Sequence, residues 1–379
     1  MKCYLGLGSN LSLNPNQGIT NIQGHSRYNL LNNLEDAAAH IQALSNVQFL
    51  RSSTVHETKA LVPPNAPKDW DKPFCNAVVE IEWNSSLEEL LQATQHIEKK
   101  MGRMPSEKWA PRVIDIDILT FGEVCFQSPI LQVPHGGIWD RSFVLEPLKE
   151  LCPQVILPNK KESLLQRSRE QKSKEYIPRL MGIFNLTPDS FSERAEPLYR
   201  DGQNYLKNLN ISLFHEKLNH LDSCLIPYID LGGESTRPGA EVVTPEQEWS
   251  RLKPALDFLM NRYQNKVFRP KISVDTRHPW VAKQALRYSV DCLNDVSGLA
   301  DFEMIRVLQA SACDYVLMHS LTVPASKEVT LPDNVDVVKE IKDWFFEKLE
   351  LLTQNGISAD RIIFDPGIGF GKTAKQSIE

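Results

Sequence analysis

Between residues 180 and 365 the sequence repeats one local pattern six times: a short apolar run that ends in a polar residue. The runs are Leu180–Phe184 before Asn185, Tyr228–Ile229 before Asp230, Ile272–Val274 before Asp275, Cys292–Leu293 before Asn294, Tyr315–Met318 before His319 and Ile362–Phe364 before Asp365. Helical stretches separate most of them. One opens at Thr244-Pro245-Glu246-Gln247, with a capping hydroxyl, a first-turn proline and a glutamine three residues on; another closes at Asn355-Gly356. Strands that are apolar on both faces and alternate with helices build a parallel sheet. The pattern predicts a (β/α)8, TIM-barrel-type domain, which keeps its chemistry at the C-terminal ends of its strands. Six such strands are present and a closed barrel needs eight, so the expectation is a barrel whose last strands are absent from the 379-residue chain.

The first half follows a different order. Residues 2–7 read as a strand, 29–44 as a helix with Leu30, Leu34, Ala38 and Ile41 on one face, and 47–57 and 74–83 as strands. A second helix is expected to start at Ser85, with Glu88 completing a capping box, and to stop at Gly102. Val113–Leu119 reads as a further strand. The order β-α-β-β-α-β predicts a ferredoxin-like α+β domain with a largely antiparallel sheet. The expected division is therefore two domains, 1–159 and 178–379, joined by a charged linker over 160–177.

A formal charge of −6 argues against a general polyanion binder, so no nucleic-acid partner is expected. Seven dispersed cysteines without a C-x-x-C pair read as reduced thiols, and the strand pattern begins at Lys2, which leaves no leader in this reading. No apolar run reaches bilayer length. A cytoplasmic protein without a membrane partner is expected.

The sharpest chemical feature is Arg112-Val113-Ile114-Asp115-Ile116-Asp117-Ile118-Leu119. On a strand of period two, Asp115 and Asp117 share one face while Ile114, Ile116 and Ile118 share the other. Adjacent carboxylates repel unless a cation lies between them, and hard oxygen ligands suit Mg²⁺ with nucleotide phosphates. Alone, the pair fits a solvent-facing acidic stripe equally well. Its neighbours tip the balance: Arg103 and Trp109 precede it, Pro134-His135, Arg141 and Phe143 follow, and Gln95 and Glu98 share a helix face. Cations and aromatics around an acidic centre suit Mg-ATP and a flat heteroaromatic substrate.

Gly6-Leu7-Gly8-Ser9-Asn10, Phe74-Cys75-Asn76-Ala77, Thr94-Gln95-His96-Ile97-Glu98, Arg112 to Asp117 and Val133-Pro134-His135, taken in order, resemble hydroxymethyldihydropterin pyrophosphokinase over roughly residues 1–158. The resemblance implies two Mg²⁺ ions on Asp115 and Asp117, with Arg103 and Arg112 beside them in catalysis. It assigns ATP to Gln95, Glu98, Arg103, Arg112, Ile118, His135 and Arg141, and the pterin to Thr58, Phe74, Asn76, Trp109 and Phe143. The pterin hydroxymethyl oxygen would attack the β-phosphorus of ATP and release AMP. Met104-Pro105-Ser106 stands where that family has further basic residues, and Phe74 where a Tyr is common.

In the second half, Gly182-Ile183-Phe184-Asn185-Leu186-Thr187-Pro188-Asp189-Ser190-Phe191-Ser192 and Asp230-Leu231-Gly232-Gly233-Glu234-Ser235-Thr236-Arg237-Pro238-Gly239 are polar loops at strand ends. They can bring backbone amides and a cation to a phosphate, while convergent carboxylates and amides can bind the donor-rich edge of a pterin. Gly367 to Thr373 imitates a Walker A loop, but Pro366 occupies the first glycine position; Gly6-x-Gly8 lacks the third glycine of a dinucleotide fingerprint because Leu11 stands there. These loops are similar to dihydropteroate synthase over roughly 178–379. That resemblance implies Asn185 at an Mg²⁺-pyrophosphate, Asp275, Asn294, Met318 and Asp365 around the pterin, and Thr236 and Arg237 near pyrophosphate and 4-aminobenzoate, with Asp189, Ser190 and Phe191 in a partner loop. Ser192-Glu193-Arg194 replaces a more usual Asp-Gly-Gly. The family's Ser-Arg-Lys and Arg-x-His segments are not in the sequence, which implies weak or no synthase activity for this polypeptide. Together the resemblances imply a bifunctional transferase of folate biosynthesis, compatible with a homodimer through the synthase barrel. Kinase fused to a methyltransferase-like or scaffolding barrel is the alternative.

Overall fold

The computed structural model describes residues 1–12, 24–104, 107, 109–158, 160–170, 179–187, 209–326 and 328–379. Pro105, Ser106, Asp189, Ser190, Phe191 and Ser192-Glu193-Arg194 lie outside the described residues. The chain divides into two compact units. The first comprises Met1–Leu180 with His220–Pro227 and Asn265–Pro270; the second comprises Met181–Asn219, Tyr228–Gln264 and Lys271–Glu379.

The first unit runs β1 (Lys2–Ser9), α1 (Gly24–Gln42), β2 (Val47–Ser52), β3 (His56–Thr58), β4 (Phe74–Trp83), α2 (Leu87–Lys100), β5 (Asp115–Phe121), β6 (Phe126–Gln127), β7 (Gln132–Val133), α3 (Ser142–Leu151) and α4 (Leu164–Glu170). Its sheet has the order β2-β4-β1-β5, with β3 also on β4, and every pairing is antiparallel. The sheet is covered on both faces. Cys3, Leu5 and Leu7 of β1 and Ile114, Ile116 and Ile118 before and on β5 join Leu34, Ile41 and Leu90 of α1 and α2. Tyr4, Val78 and Leu119 point the other way, into a cluster with Leu145, Leu148 and Leu164 of α3 and α4. Strand alternation thus assigns each residue of β1 to a layer.

Three local expectations shift. Helix α2 is capped by Ser86, which accepts from Glu89 N, rather than by Ser85. Two consecutive serines are followed by two consecutive glutamates, so the capping pattern fits either register, and burial of Leu87 and Leu90 decides it. Strand β5 starts at Asp115, two residues later than read. The front of the expected linker is helical: α4 buries Leu164 in the first unit's core.

The second unit runs β8 (Met181–Asn185), α5 (Ile211–Ser223, of which the residues up to Asn219 fall in this unit), β9 (Tyr228–Gly232), α6 (Pro245–Tyr263), β10 (Lys271–Asp275), α7 (Pro279–Leu286), β11 (Cys292–Asp295), α8 (Glu303–Gln309), β12 (Asp314–Met318), α9 (Val337–Gln354), β13 (Ile362–Asp365) and α10 (Ala374–Ile378). Strands β8 to β13 lie side by side in chain order, all parallel. Helix α6 has the capping box expected from Thr244 and Gln247. Among the described residues no helix is long and apolar enough to cross a membrane.

Candidate functional sites in the two units

Gly6 and Gly8 alternate with Leu5 and Leu7 on β1, so the α3 face of the sheet lacks side chains at two consecutive positions. A Cβ at Gly8 would lie 3.2 Å from Asn76 Oδ1 and 4.0 Å from Asp115 Cβ. The gap opens into a cavity of about 210 Å³ whose floor includes Gly6, Gly8, Asn76, Asp115 and Asp117. Thr58, Phe74, Trp109, Phe143, Arg112 and Arg141 form its walls. The two aspartates therefore share one face of β5 while Ile116 and Ile118 lie in the core behind them.

Asn76 donates through Nδ2 to Thr58 Oγ1 at 2.9 Å. Its carbonyl oxygen is thereby left for a ligand donor. Trp109 sits at the rim with φ of 78°, a conformation that an aromatic residue adopts only at an energetic cost. Asp115 is held by Arg103 Nη1 at 2.7 Å and Arg112 Nη1 at 3.1 Å. Burial, and then the charge of Asp115, push the Asp117 carboxyl above its ordinary value, while His135, Arg103 and Arg141 pull against that rise. A carboxylate so placed favours a cation.

Ile118, Glu98 and Gln95, assigned to ATP, do not line this cavity. Ile118 is 3% exposed and packs in the core, so its side chain faces away from the cavity. Glu98 turns inward to accept from Ile116 N at 2.8 Å and to pair with Arg103; burial raises its carboxyl to about 7. It braces the β5 entrance and the arginine. Gln95 lies exposed on α2 and is not among the cavity's lining residues. His135 stays close in the fold: its backbone N–H donates to Leu119 O at 2.8 Å, beside the end of the acidic strand.

In the second unit the sheet register aligns Asn185, Gly232, Asp275 and Asn294 across four neighbouring strands. A Cβ at Gly232 would fall 3.7 Å from Asn185 Oδ1 and 3.6 Å from Asp275 Oδ2, so the glycine leaves room between two polar groups. Asn294 Nδ2 donates to Asp230 Oδ2 at 3.3 Å, and Asp230 Oδ1 and Asn294 Oδ1 are buried without a partner among the described residues. Burial holds the Asp275 carboxyl well above its ordinary value, with Asp230 the strongest of four acidic contributors, and burial raises Asp230 as well. Unpaired acceptors of this kind suit a ligand that brings several N–H donors.

Met318 is buried next in register to Asp365, whose carboxylate is oriented by Gly367 N at 2.8 Å. Thr236 and Arg237 lie half-exposed on the loop after β9, tied to the segment after β12 through Ala325 N and Thr236 O. The same loop is clamped by Glu234, which takes two hydrogen bonds from Arg277 at 2.7 and 2.9 Å. Asp230, Glu234 and Arg277 were not singled out as site residues. Asp230 ends one of the six apolar runs, and that position was the available signal.

Residues 4–153 match the family described as 7,8-dihydro-6-hydroxymethylpterin-pyrophosphokinase, and residues 226–379 match the pterin binding enzyme family. A folate synthesis bifunctional protein of Chlamydia caviae is 34% identical over 348 residues, which is 88% of this chain and 75% of that protein. The chain belongs to the family of folate synthesis bifunctional proteins. A folic acid synthesis protein of Schizosaccharomyces pombe is 31% identical over 358 residues, spanning 91% of this chain and 46% of that protein. A dihydropteroate synthase from Anaplasma phagocytophilum with bound 6-hydroxymethylpterin-monophosphate aligns with 52% of this chain and 69% of its own, at 29% identity and a TM-score of 0.43. The family unites a pyrophosphokinase unit with a pterin-binding unit, and the enzyme is a bifunctional transferase of folate synthesis.

Proposed function

We propose that the cavity of the first unit binds 6-hydroxymethyl-7,8-dihydropterin between Phe74, Trp109 and Phe143, with Asn76 Oδ1 accepting from the ring's N–H edge. The hydroxymethyl oxygen would attack the β-phosphorus of ATP, and AMP would leave with the bridging oxygen. Arg103, Arg112, Arg141 and His135 would bind the phosphates, two of them after releasing Asp115. The observation that carries this reading is the pairing of Asp115 and Asp117 on one strand face in an aromatic-walled cavity.

The cavity suits Mg²⁺. Among the described residues no group of three or more His, Cys, Asp or Glu is arranged to hold a metal, and Mg²⁺ commonly takes one or two carboxylates and completes its shell with phosphate oxygens and water. Asp115 and Asp117 would hold two ions, which when bound would neutralise charge on the transferring group. The protein's own part is positioning: it stacks the pterin, aligns the arginines and shields the reacting oxygen from water.

We read the antiparallel order β2-β4-β1-β5 as a ferredoxin-like arrangement, and the six parallel strands of the second unit as β/α-barrel strands. There the pterin diphosphate would lie on Asp275, Asn294 and Asp365 against Met318, with Asp230 acting through Asn294. Asn185 with one Mg²⁺, Thr236 and Arg237 would bind the leaving pyrophosphate and 4-aminobenzoate, whose aniline nitrogen would attack the pterin methylene. None of the seven cysteines is in a disulfide, which supports a reducing, cytoplasmic location; a homodimer through the second unit rests on the family resemblance.

The test supplies ATP, Mg²⁺, hydroxymethyldihydropterin and 4-aminobenzoate and follows AMP and dihydropteroate. Mg²⁺-dependent AMP release supports the first site, and dihydropteroate formation supports the second. Failure of AMP to appear overturns the first assignment. AMP without dihydropteroate would leave the second unit a pterin-binding scaffold.

A further inference from the structure

Glu150, near the end of α3, is buried at 5% side-chain exposure, yet it gathers donors from three residues on two separated segments, Thr54 and His56 on one and Arg179 on the other. Thr54 N donates to Oε2 at 2.9 Å, and Thr54 Oγ1 lies 2.9 and 3.1 Å from the two carboxylate oxygens. His56 Nε2 is 2.6 Å from Oε1, and the Arg179 guanidinium donates to the same oxygen. Burying a carboxylate costs several kcal/mol unless its lone pairs are filled, and here they are filled.

What those donors anchor is one wall of the pterin cavity. Thr54 and His56 lead into β3, a strand of three residues with no fully buried side chain, which packing alone would hold weakly. Its register on β4 sets His56 opposite Asn76 and Thr58 opposite Phe74, and Thr58 Oγ1 then receives the Asn76 amide. The other end of α3 carries Arg141, Phe143 and Val144, which line the facing wall. One carboxylate therefore ties the wall that orients Asn76 to the helix that supplies the opposite wall.

We propose that Glu150 is a positioning residue for the pterin subsite: without touching substrate, it holds the Thr58 wall at a fixed separation from the Phe143 wall. This rests on the pterin reading of the cavity. A part that sets only the spacing of the pterin walls should govern pterin affinity and leave the nucleotide end largely alone.

The experiment measures AMP release by the full chain, varying pterin at saturating Mg-ATP and then the reverse, for the wild type, Glu150→Ala and Thr54→Val. Glu150→Ala should raise the pterin KM by about tenfold, with kcat and the ATP KM within about threefold. Thr54→Val keeps the shape of the side chain and removes one donor; it should raise the pterin KM by about two- to fivefold in the same direction. If Glu150→Ala does not fold, Thr54→Val alone decides. An unchanged pterin KM in the folded variants, or equal losses for both substrates, would overturn the proposal. A wild type that releases no AMP would instead remove the pterin reading, and the proposal with it.

Discussion

Asn33 offers the most quantitative check on how the first site is held. It sits on α1 at 3% exposure, and its Nδ2 donates to Ser9 Oγ at 3.0 Å, Leu11 O at 2.9 Å and Val113 O at 3.2 Å. Next to it Asn10 Oδ1 accepts from Arg112 N at 2.8 Å, while Asn10 N and Leu11 N donate to Arg112 O. Together the two asparagines fasten the end of β1 to the segment that carries Arg112 into Asp115. Asn33→Ala withdraws the donor from two buried acceptors and one half-exposed carbonyl. At about 1–3 kcal/mol for each acceptor stranded in the interior, and less for the carbonyl that water can reach, the loss is about 2–5 kcal/mol. With a mid-range m-value of about 2 kcal/mol/M in urea, the first unit's midpoint should fall by about 1–2.5 M, read by tryptophan fluorescence. AMP release should drop by about tenfold or more, because Arg112 and Asp115 lose their fixed geometry. Asn33→Asp has the same shape and no donors, so it should be at least as damaging. A midpoint shift below about 0.2 M, or a full shift with an unaltered rate, would refute the reasoning.

Burial, with the neighbouring Lys372 ammonium adding to it, pulls the His319 imidazole down to about 4 from 6.5. In the folded state it stays neutral while the unfolded chain takes a proton, so stability should be lost as pH falls from about 6.5 to about 4. A series of urea melts across that range should show the loss in the wild type and a flatter profile in His319→Gln; parallel profiles would contradict the assignment. Arg277→Met leaves the Glu234 carboxylate, 8% exposed, without its two-pronged partner. Amide exchange should accelerate through residues 233–243 while β9 keeps its protection, and unchanged exchange there would show that the loop is held by something else.

Much of the architecture was legible because it is periodic. Six apolar runs with polar ends became six parallel strands in chain order, and the alternation of Asp115, Ile116, Asp117 and Ile118 became one cavity face and one core face. Boundaries were less legible where neighbouring residues offer equivalent chemistry, as Ser85 and Ser86 do with Glu88 and Glu89. The ATP roles of Glu98 and Ile118 came from resemblance. Their burial depends on packing between α2 and β5, which no local pattern reports. Glu150 and Thr54 lie 96 positions apart, and Asp230 and Asn294 lie 64 apart. Such pairings exist only once the sheet has assembled, so hydrogen-bond partners at that separation could not be read from spacing. Gly8 was visible as part of a motif, but its use, leaving room beside Asn76 and Asp115, required the register of three strands.

The account stands on the paired carboxylates of β5, and Asp117→Asn tests them directly. Burial and a like-charged neighbour make the ionised Asp117 costly to the fold, so the amide should unfold at an equal or higher temperature. Its Mg²⁺-dependent release of AMP should meanwhile fall by at least about a hundredfold. A variant that keeps its rate within a few-fold of the wild type, whatever its melting temperature, would show that the acidic pair is not where the chemistry occurs.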